Sequence, residues 1–164
     1  MNAPLSTFFF DASALVKLLV NEPGSARVQE LFNEAGMVSS SWVVIAEALG
    51  VLKRKWSKKQ LSESRYTATV HVFFAYIREQ RIVAIDLEKD SFGEPALSTH
   101  AYDILKIRDR YPKLDVADAL QFAVIQNSHL RFFAGESKTR LVSADKNLLL
   151  AAQAEGFEVV DVSK

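Results

Sequence analysis

Residues 7–20 read Thr-Phe-Phe-Phe-Asp-Ala-Ser-Ala-Leu-Val-Lys-Leu-Leu-Val, and this stretch decides the fold. The apolar run at 7–10 is typical of a short buried strand, and the leucines that follow recur at the spacing of one helix face. A strand that leads directly into a helix begins a β-α-β crossover, and Asp11 stands at the carboxyl end of that strand. Because functional groups gather at this edge of parallel sheets, the stretch predicts an α/β fold with a functional acid at its edge.

The rest of the chain alternates between strands and helices in the same way. Ser25 and Ser41 are predicted N-caps, because a serine before an apolar-periodic segment is a common helix start. We predict helices at 12–20, 25–35, 41–56, 57–80, 88–111, 115–127 and 147–154, and strands at 7–10, 37–40, 82–85, 140–143 and 157–162. This order predicts a three-layer α/β/α sandwich with a mostly parallel central sheet of four or five strands. The length of 164 residues predicts a single domain at 1–164.

Two segments are less regular. Residues 70–77 are apolar over more than one helix face, which indicates either burial from both sides or a surface for a dimer or another partner. Residues 128–138 are polar and irregular, and we expect a loop there.

Composition excludes several classes of protein. With 20 basic and 20 acidic residues the net charge is zero, so no overall charge attracts a polyanion, and nucleic acid would have to be held locally. The lack of cysteine excludes disulfides and thiolate metal sites. No signal peptide is evident, and no apolar run approaches the roughly 20 residues that span a bilayer. We therefore expect a cytoplasmic protein without a membrane partner.

Four acids stand at the predicted crossovers: Asp11, Glu47, Asp118 and Asp145. Brought to one edge of the sheet they repel, since two unit charges ~4 Å apart interact by roughly 4 kcal/mol at an effective dielectric of ~20. Divalent cations would make such a cluster tolerable, and ligands that are all oxygen favour Mg²⁺ or Mn²⁺.

Three of these acids also have a local explanation. Asp11 or Ser13 is a candidate cap for the helix that follows the first strand, and Asp145 and Ser143 compete for the cap of the last helix. Glu47 is explained as a surface residue, although the segment 42–52 around it has no other charge, and a lone carboxylate there needs a partner.

Asp115 and Asp118 lie three residues apart, on one helix face. Asp115 is the predicted N-cap and Asp118 stands in the capping-box position. Because Asp118 is nearer to the small and apolar run at 119–123, we interpret it as the functional acid and Asp115 as a cap or support.

A basic segment surrounds one tryptophan, with no acid between its members: Lys53, Arg54, Lys55, Trp56, Lys58 and Lys59. Such a segment suits a nucleic-acid backbone and a stacked base, and it equally suits a solvated helix end. Arg108, Arg110 and Lys113 form a second basic cluster.

Five stretches together resemble the PIN domain, and more narrowly the toxin-type PIN nucleases of the VapC family. They are Phe-Asp-Ala-Ser-Ala-Leu-Val-Lys-Leu at 10–18, Asn-Glu-Pro-Gly-Ser at 21–25, Ile-Ala-Glu-Ala-Leu at 45–49, Ala-Asp-Ala-Leu-Gln-Phe-Ala at 117–123 and Leu-Val-Ser-Ala-Asp-Lys-Asn-Leu at 141–148. Their order covers nearly the whole chain. The segment 127–140 is longer than the shortest family members need.

The resemblance implies the PIN-like sandwich and a cluster of acids that binds Mg²⁺ or Mn²⁺. By motif position the catalytic acids would be Asp11, Glu47, Asp118 and Asp145, with Asp11, Asp118 and Asp145 as the metal ligands. Ser13 and Ser143 match the hydroxyl residues beside the first and last acids. The family further implies an RNA substrate, a homodimer and a cognate antitoxin protein.

Three functions are consistent with the sequence. The leading hypothesis is a metal-dependent endoribonuclease, since all four acids are present. The alternative is a PIN-like module that binds RNA or protein without cutting, which the neutral charge favours. The third is a small-molecule phosphohydrolase, although Ser13 stands where the common aspartyl-phosphate enzymes have a second Asp.

Overall fold

The computed structural model describes residues 6–85, 104–127 and 139–164. The strands are β1 (Thr7–Phe10), β2 (Met37–Ser41), β3 (Val83–Ile85), β4 (Arg140–Ser143) and β5 (Val159–Asp161). The helices are α1 (Ala12–Leu19), α2 (Ser25–Glu34), α3 (Trp42–Ser57), α4 (Glu63–Arg78), α5 (Val116–Asn127) and α6 (Lys146–Ala154). Residues 104–110 are also helical.

The five strands form one parallel sheet in the order β3-β2-β1-β4-β5. Phe9 at the centre pairs with Ser39 of β2 on one side and with Leu141 of β4 on the other. This arrangement confirms the predicted α/β/α sandwich with a parallel sheet. The chain order reverses between β1 and β4, and in open sheets of this kind a crevice opens at that point.

Both faces of β1 are buried, which explains its unbroken apolar sequence. Phe9 and Phe10 are fully buried, and Phe8 is nearly so. The neighbouring strand β2 forms despite its three serines because their hydroxyls are satisfied inside the sheet. Ser39 donates to the carbonyl of Phe8 at 3.2 Å and Ser40 to the carbonyl of Phe10 at 2.9 Å.

The predicted cap at Ser41 is confirmed, because its Oγ accepts from the N–H of Val44 at 3.2 Å. One predicted helix start and one predicted N-cap are wrong. α4 begins at Glu63 rather than at residue 57, since Lys59 takes a left-handed conformation (φ 59°) and Ser62 caps the new helix. The N-cap of α2 is Gly24.

The role of Ser25 differs from the predicted cap. Its hydroxyl donates to the carbonyl of Val20 at 2.9 Å and accepts from the N–H of Glu22 at 3.0 Å. Ser25 therefore closes the turn between α1 and α2 instead of capping the second helix.

The broad apolar face of α4 is only partly buried. Phe73 is fully buried in the core, whereas Val72 and Phe74 are 44% and 45% exposed. Burial from two sides is therefore wrong for these two residues within the described part of the chain. A surface for a partner stays a prediction.

The predicted helix at 88–111 is confirmed at 104–110, and its first part lies outside the described residues. The predicted loop at 128–138 also lies outside them. In the ranges that the structure describes, none of the helices combines the length and the apolar character that a bilayer crossing requires.

Candidate active site

One open cavity of about 820 Å³ brings together the four acids that the sequence singles out. Asp11 contributes from the end of β1, Glu47 from α3, Asp118 from α5 and Asp145 from the start of α6. Other residues that line this acid cavity include Ser13, Glu22, Gly50, Arg54, Lys55 and Gln121. The fold therefore assembles the predicted cluster from four elements that are distant in sequence.

Asp11 is the buried centre of the cluster, with 4% of its surface exposed. Its Oδ1 accepts from the N–H of Ala14 at 2.7 Å and from the hydroxyl of Ser13 at 2.8 Å. Its Oδ2 accepts from the hydroxyl of Ser143 at 2.6 Å. Burial raises the pKa of Asp11, against the lowering effect of these hydrogen bonds, and the charge of Asp145 adds to the rise.

The two serines join the carboxylate of Asp11 to the turn between β4 and α6. Ser13 Oγ accepts from the N–H of Ala144 at 2.8 Å, and Ser143 Oγ accepts from the N–H of Asp145 at 2.9 Å. Each hydroxyl thus donates to Asp11 and accepts from a backbone N–H of the turn between β4 and α6. Both supporting residues fix where Asp11 lies relative to Asp145.

Asp145, and not Ser143, is the N-cap of α6. Its Oδ1 accepts from the N–H groups of Asn147 at 2.7 Å and Leu148 at 3.2 Å. Asp145 is solvent-exposed and also lines the acid cavity. Asp145 therefore caps a helix and also belongs to the acid cluster. Asp11 has the same two roles, because it caps α1.

Asp115 and Asp118 form the predicted capping box. The N–H of Asp118 donates to Asp115 Oδ1 at 2.9 Å, and the N–H of Asp115 donates to Asp118 Oδ2 at 3.2 Å. Only Asp118 of the two lines the acid cavity. This position agrees with the interpretation of Asp118 as the functional acid and Asp115 as its support.

The electrostatics of the cavity are unfavourable in the absence of a cation. Burial, followed by the charges of Asp115, Asp118 and Asp11, raises the pKa of Glu47 to about 6, and Arg54 opposes this rise. Burial also raises the pKa of Asp118 to about 6, and the charges of Asp115, Asp145 and Asp11 contribute. Each of these carboxylates therefore experiences the negative charge of the others.

Raised pKa values of this kind lower the stability of the metal-free protein at neutral pH. Between the ordinary pKa of an acid and its raised folded-state pKa, the folded chain binds more protons than the unfolded chain. The free energy of unfolding therefore falls as the pH rises through about 4 to about 6. A cation bound between the carboxylates would offset this loss.

The chemistry of the cavity suits a hard divalent cation. All four acids offer oxygen ligands, and their repulsion is the energy that such a cation would relieve. Among the described residues, however, no group of three His, Cys, Asp or Glu side chains is placed to hold a metal ion as it stands. The donor set nevertheless fits Mg²⁺ or Mn²⁺ by its chemistry.

The predicted RNA-binding segment is only partly at the cavity. Arg54 and Lys55 line it, and Lys55 is bound by Glu22 at 2.8 Å. Trp56 stacks on Tyr66 with ring centroids 5.3 Å apart, and the ammonium of Lys53 lies 4.6 Å from the tryptophan ring. The aromatic ring that was predicted to stack a base thus already has partners within the chain.

Lys58 and Lys59, the other two cations of the segment, lie in the exposed turn after α3 and do not line the acid cavity. In the second basic cluster, Arg108 pairs with Asp109, and Arg110 pairs with Glu155. Among the described residues, the cations that line the acid cavity are therefore Arg54 and Lys55.

Sequence reasoning assigned no role to Gln121, although it lines the same cavity. It is 2% exposed, and its Oε1 has no hydrogen-bond partner among the described residues. The available signal was its position, three residues after Asp118 and therefore on the same helix face.

Comparisons with known proteins agree with this architecture. The family model described as PIN domain matches residues 8–154. Among solved structures, the chain is 19% identical to the Mycobacterium tuberculosis toxin VapC20, which is described as cleaving the sarcin-ricin loop. That match covers 94% of this chain and 99% of the toxin, with a TM-score of 0.63.

A second solved structure, PAE2754 from Pyrobaculum aerophilum, is 18% identical, with 96% of this chain and 90% of that protein covered and a TM-score of 0.58. At such identities the two structures establish a shared fold. Among curated protein sequences, no match was found.

Proposed function

The chain belongs to the PIN domain family, whose members are generally nucleases, and we propose that it is an endoribonuclease that depends on Mg²⁺ or Mn²⁺. It hydrolyses RNA phosphodiester bonds and leaves 5′-phosphate and 3′-hydroxyl ends. The observation that carries this proposal is the single cavity in which buried and half-buried acids raise one another's pKa. Perturbed carboxylates in a cleft are a common property of catalytic sites.

Each acid has a part in the proposed reaction. Asp11, Asp118 and Asp145 hold the cation. A bound Mg²⁺ or Mn²⁺ lowers the pKa of water and neutralises the charge that develops on the phosphate. Glu47 completes the cluster, and a carboxylate with a pKa of about 6 is suited to accept a proton from the attacking water near neutral pH.

The two serines and Asp115 are positioning residues in this proposal. Ser13 and Ser143 hold Asp11 against the turn that carries Asp145. Asp115 holds the first turn of α5 and with it Asp118. These contacts are made inside the protein, so the acids are oriented before RNA arrives.

The biological setting is proposed from the family. VapC20, which shares the fold, is described as a toxin that cleaves an RNA loop. We propose that this chain likewise cuts RNA as the toxin of a type II toxin-antitoxin pair. It would then act in the cytoplasm as a homodimer of single 1–164 domains, inhibited by a cognate antitoxin protein.

Cleavage of a mixed RNA pool by the purified protein tests the proposed function. We expect cutting with Mg²⁺ and with Mn²⁺ and none in EDTA. Without metal, Glu47 and Asp118 have a pKa of about 6 and must lose their protons to act. Because a bound cation favours ionised carboxylates, the initial rate should rise with pH below about 6, and the rise should lie at lower pH as the Mg²⁺ concentration increases. Folded protein that neither binds Mn²⁺ nor cuts RNA would contradict the nuclease and favour a binding module.

Arg54 is the residue that we propose to contact the RNA backbone beside the acids. Arg54 lines the cavity. Its Nη1 lies 3.6 Å from the position that a Cβ on Gly50 would occupy, and Gly50 lies on the helix face that also carries Glu47. Within the described ranges Arg54 forms no ion pair, whereas the neighbouring Lys55 is bound by Glu22. Its charge is therefore available to a phosphate.

Arg54→Gln is expected to raise KM for RNA about 10-fold and to change kcat little, because a contact made equally in the ground and transition states affects binding alone. Steady-state kinetics at fixed ionic strength measure this. Lys53→Gln is the matched control, since Lys53 lies over Trp56 outside the cavity. Equal effects of the two substitutions would contradict the specific role of Arg54.

A further inference from the structure

Gln121 is a buried polar residue at the wall of the acid cavity whose environment does not satisfy it. It lies on α5 one turn after Asp118, and only 2% of its surface is exposed. Its sequence neighbours Ala119, Leu120 and Phe122 are apolar and buried, so a buried amide at this position of the helix needs an explanation.

The amide oxygen of Gln121 is buried without a hydrogen-bond partner among the described residues. A buried acceptor that lacks a partner costs free energy, and native proteins contain few of them.

None of the described residues that line the cavity, including the cations Arg54 and Lys55, donates a hydrogen bond to the amide oxygen of Gln121. The carboxylates of the cavity only accept hydrogen bonds when ionised. The hydroxyl of Ser13 donates to Asp11. A cation or a donor that enters the cavity, such as a bound water molecule, would therefore complete Gln121.

We infer that Gln121 supplies a neutral oxygen, beside the four acids, to the hydrated divalent cation of this cavity. This inference rests on the proposed metal-dependent function and adds a residue to it. An uncharged oxygen adds a ligand without adding to the repulsion that already raises the pKa of the neighbouring carboxylates. Gln121 is thus a positioning residue for the cation and its water.

The test is calorimetric titration of Mn²⁺ into metal-free protein without RNA, together with the melting temperature in EDTA. Gln121→Met keeps the length of the side chain and removes its oxygen. We expect at least about 10-fold weaker Mn²⁺ binding, the usual size of an effect from residues around a metal. The melting temperature in EDTA should stay equal or rise, because the unsatisfied oxygen is gone.

Two further variants make the result specific. Gln121→Glu keeps an oxygen at the same reach and should bind Mn²⁺ at least as tightly as the wild type. Leu120→Met changes the adjacent buried residue, which does not line the cavity, and should leave the affinity for Mn²⁺ unchanged. If Gln121→Met does not fold, the Mn²⁺ affinity of Gln121→Glu tests the inference in its place.

The outcomes separate this inference from the proposed function. Wild-type affinity in folded Gln121→Met, or weakened binding in folded Gln121→Glu, would overturn the role of Gln121 and leave the nuclease intact. A wild-type protein that binds no Mn²⁺ would overturn both. Gln121 would have a structural role only if Gln121→Met lost both its Mn²⁺ affinity and its stability in EDTA, and if Gln121→Glu also lost its Mn²⁺ affinity.

Discussion

Asp11→Asn is expected to lower the rate of RNA cleavage by at least about 10³-fold, equivalent to about 4 kcal/mol of transition-state stabilisation. Asp11 is the most buried of the four acids and the one that both serines orient. The substitution removes its negative charge from the centre of the cluster and leaves a side chain of the same shape. Single-turnover cleavage of a labelled RNA with Mg²⁺ measures the loss.

The Asp11→Asn protein should still fold. Removal of a buried charge whose pKa is raised favours the folded state at pH 7, and this gain offsets the lost hydrogen bond from Ser143. We expect a melting temperature in EDTA close to that of the wild type. Asp109→Asn, a change of an exposed acid outside the cavity, is the control for activity. Retention of more than a tenth of the rate in Asp11→Asn would contradict its assignment.

Gly24→Ala is expected to cost about 3 kcal/mol of the free energy of unfolding. Gly24 has φ +88°, and a Cβ at this position would stand 2.0 Å from the carbonyl oxygen of Val162. That segment cannot move freely, because Val162 is fully buried and its N–H donates to the carbonyl of Ser143 at 2.9 Å. Thermal unfolding should show a melting temperature about 6 to 12 °C lower.

Gly156→Ala separates the two causes of this loss. Gly156 has nearly the same conformation, with φ +86°, and apart from its chain neighbours no atom of the described residues lies within 4 Å of the position of its Cβ. It should therefore show only the cost of the left-handed conformation, about 1 kcal/mol for alanine. Equal losses in the two variants would contradict steric contact with Val162 as the main cause.

Local patterns were sufficient to predict the elements around the site. The run of phenylalanines before Asp11 and the apolar strand before Asp145 each indicate a strand that ends at a polar residue. The capping box of Asp115 and Asp118 was equally visible, because its hydrogen bonds join residues three apart. The fold and the acids at the strand ends followed from such short-range features, whereas the place of Glu47 in the set was implied mainly by the resemblance to the PIN domain.

Contacts between distant segments could not be predicted in this way. Sequence left Ser143 and Asp145 as competing caps, and the competition is decided by the hydrogen bond of Ser143 to Asp11, across 132 positions. The start of α4 depends on a left-handed Lys59, which no propensity favours. The missing hydrogen-bond partner of the Gln121 amide oxygen, among the described residues, depends on which side chains surround it in three dimensions.

The bond between Ser143 and Asp11 also has a consequence for how activity arises during folding. Because its two ends come from non-consecutive strands at the middle of a parallel sheet, it forms only after long-range loop closure, which is the slow part of folding such topologies. No fragment that lacks either β1 or β4 contains the assembled acids. Nuclease activity should therefore follow the folded fraction in an all-or-none manner, and a partly synthesised or partly unfolded chain would be harmless to RNA.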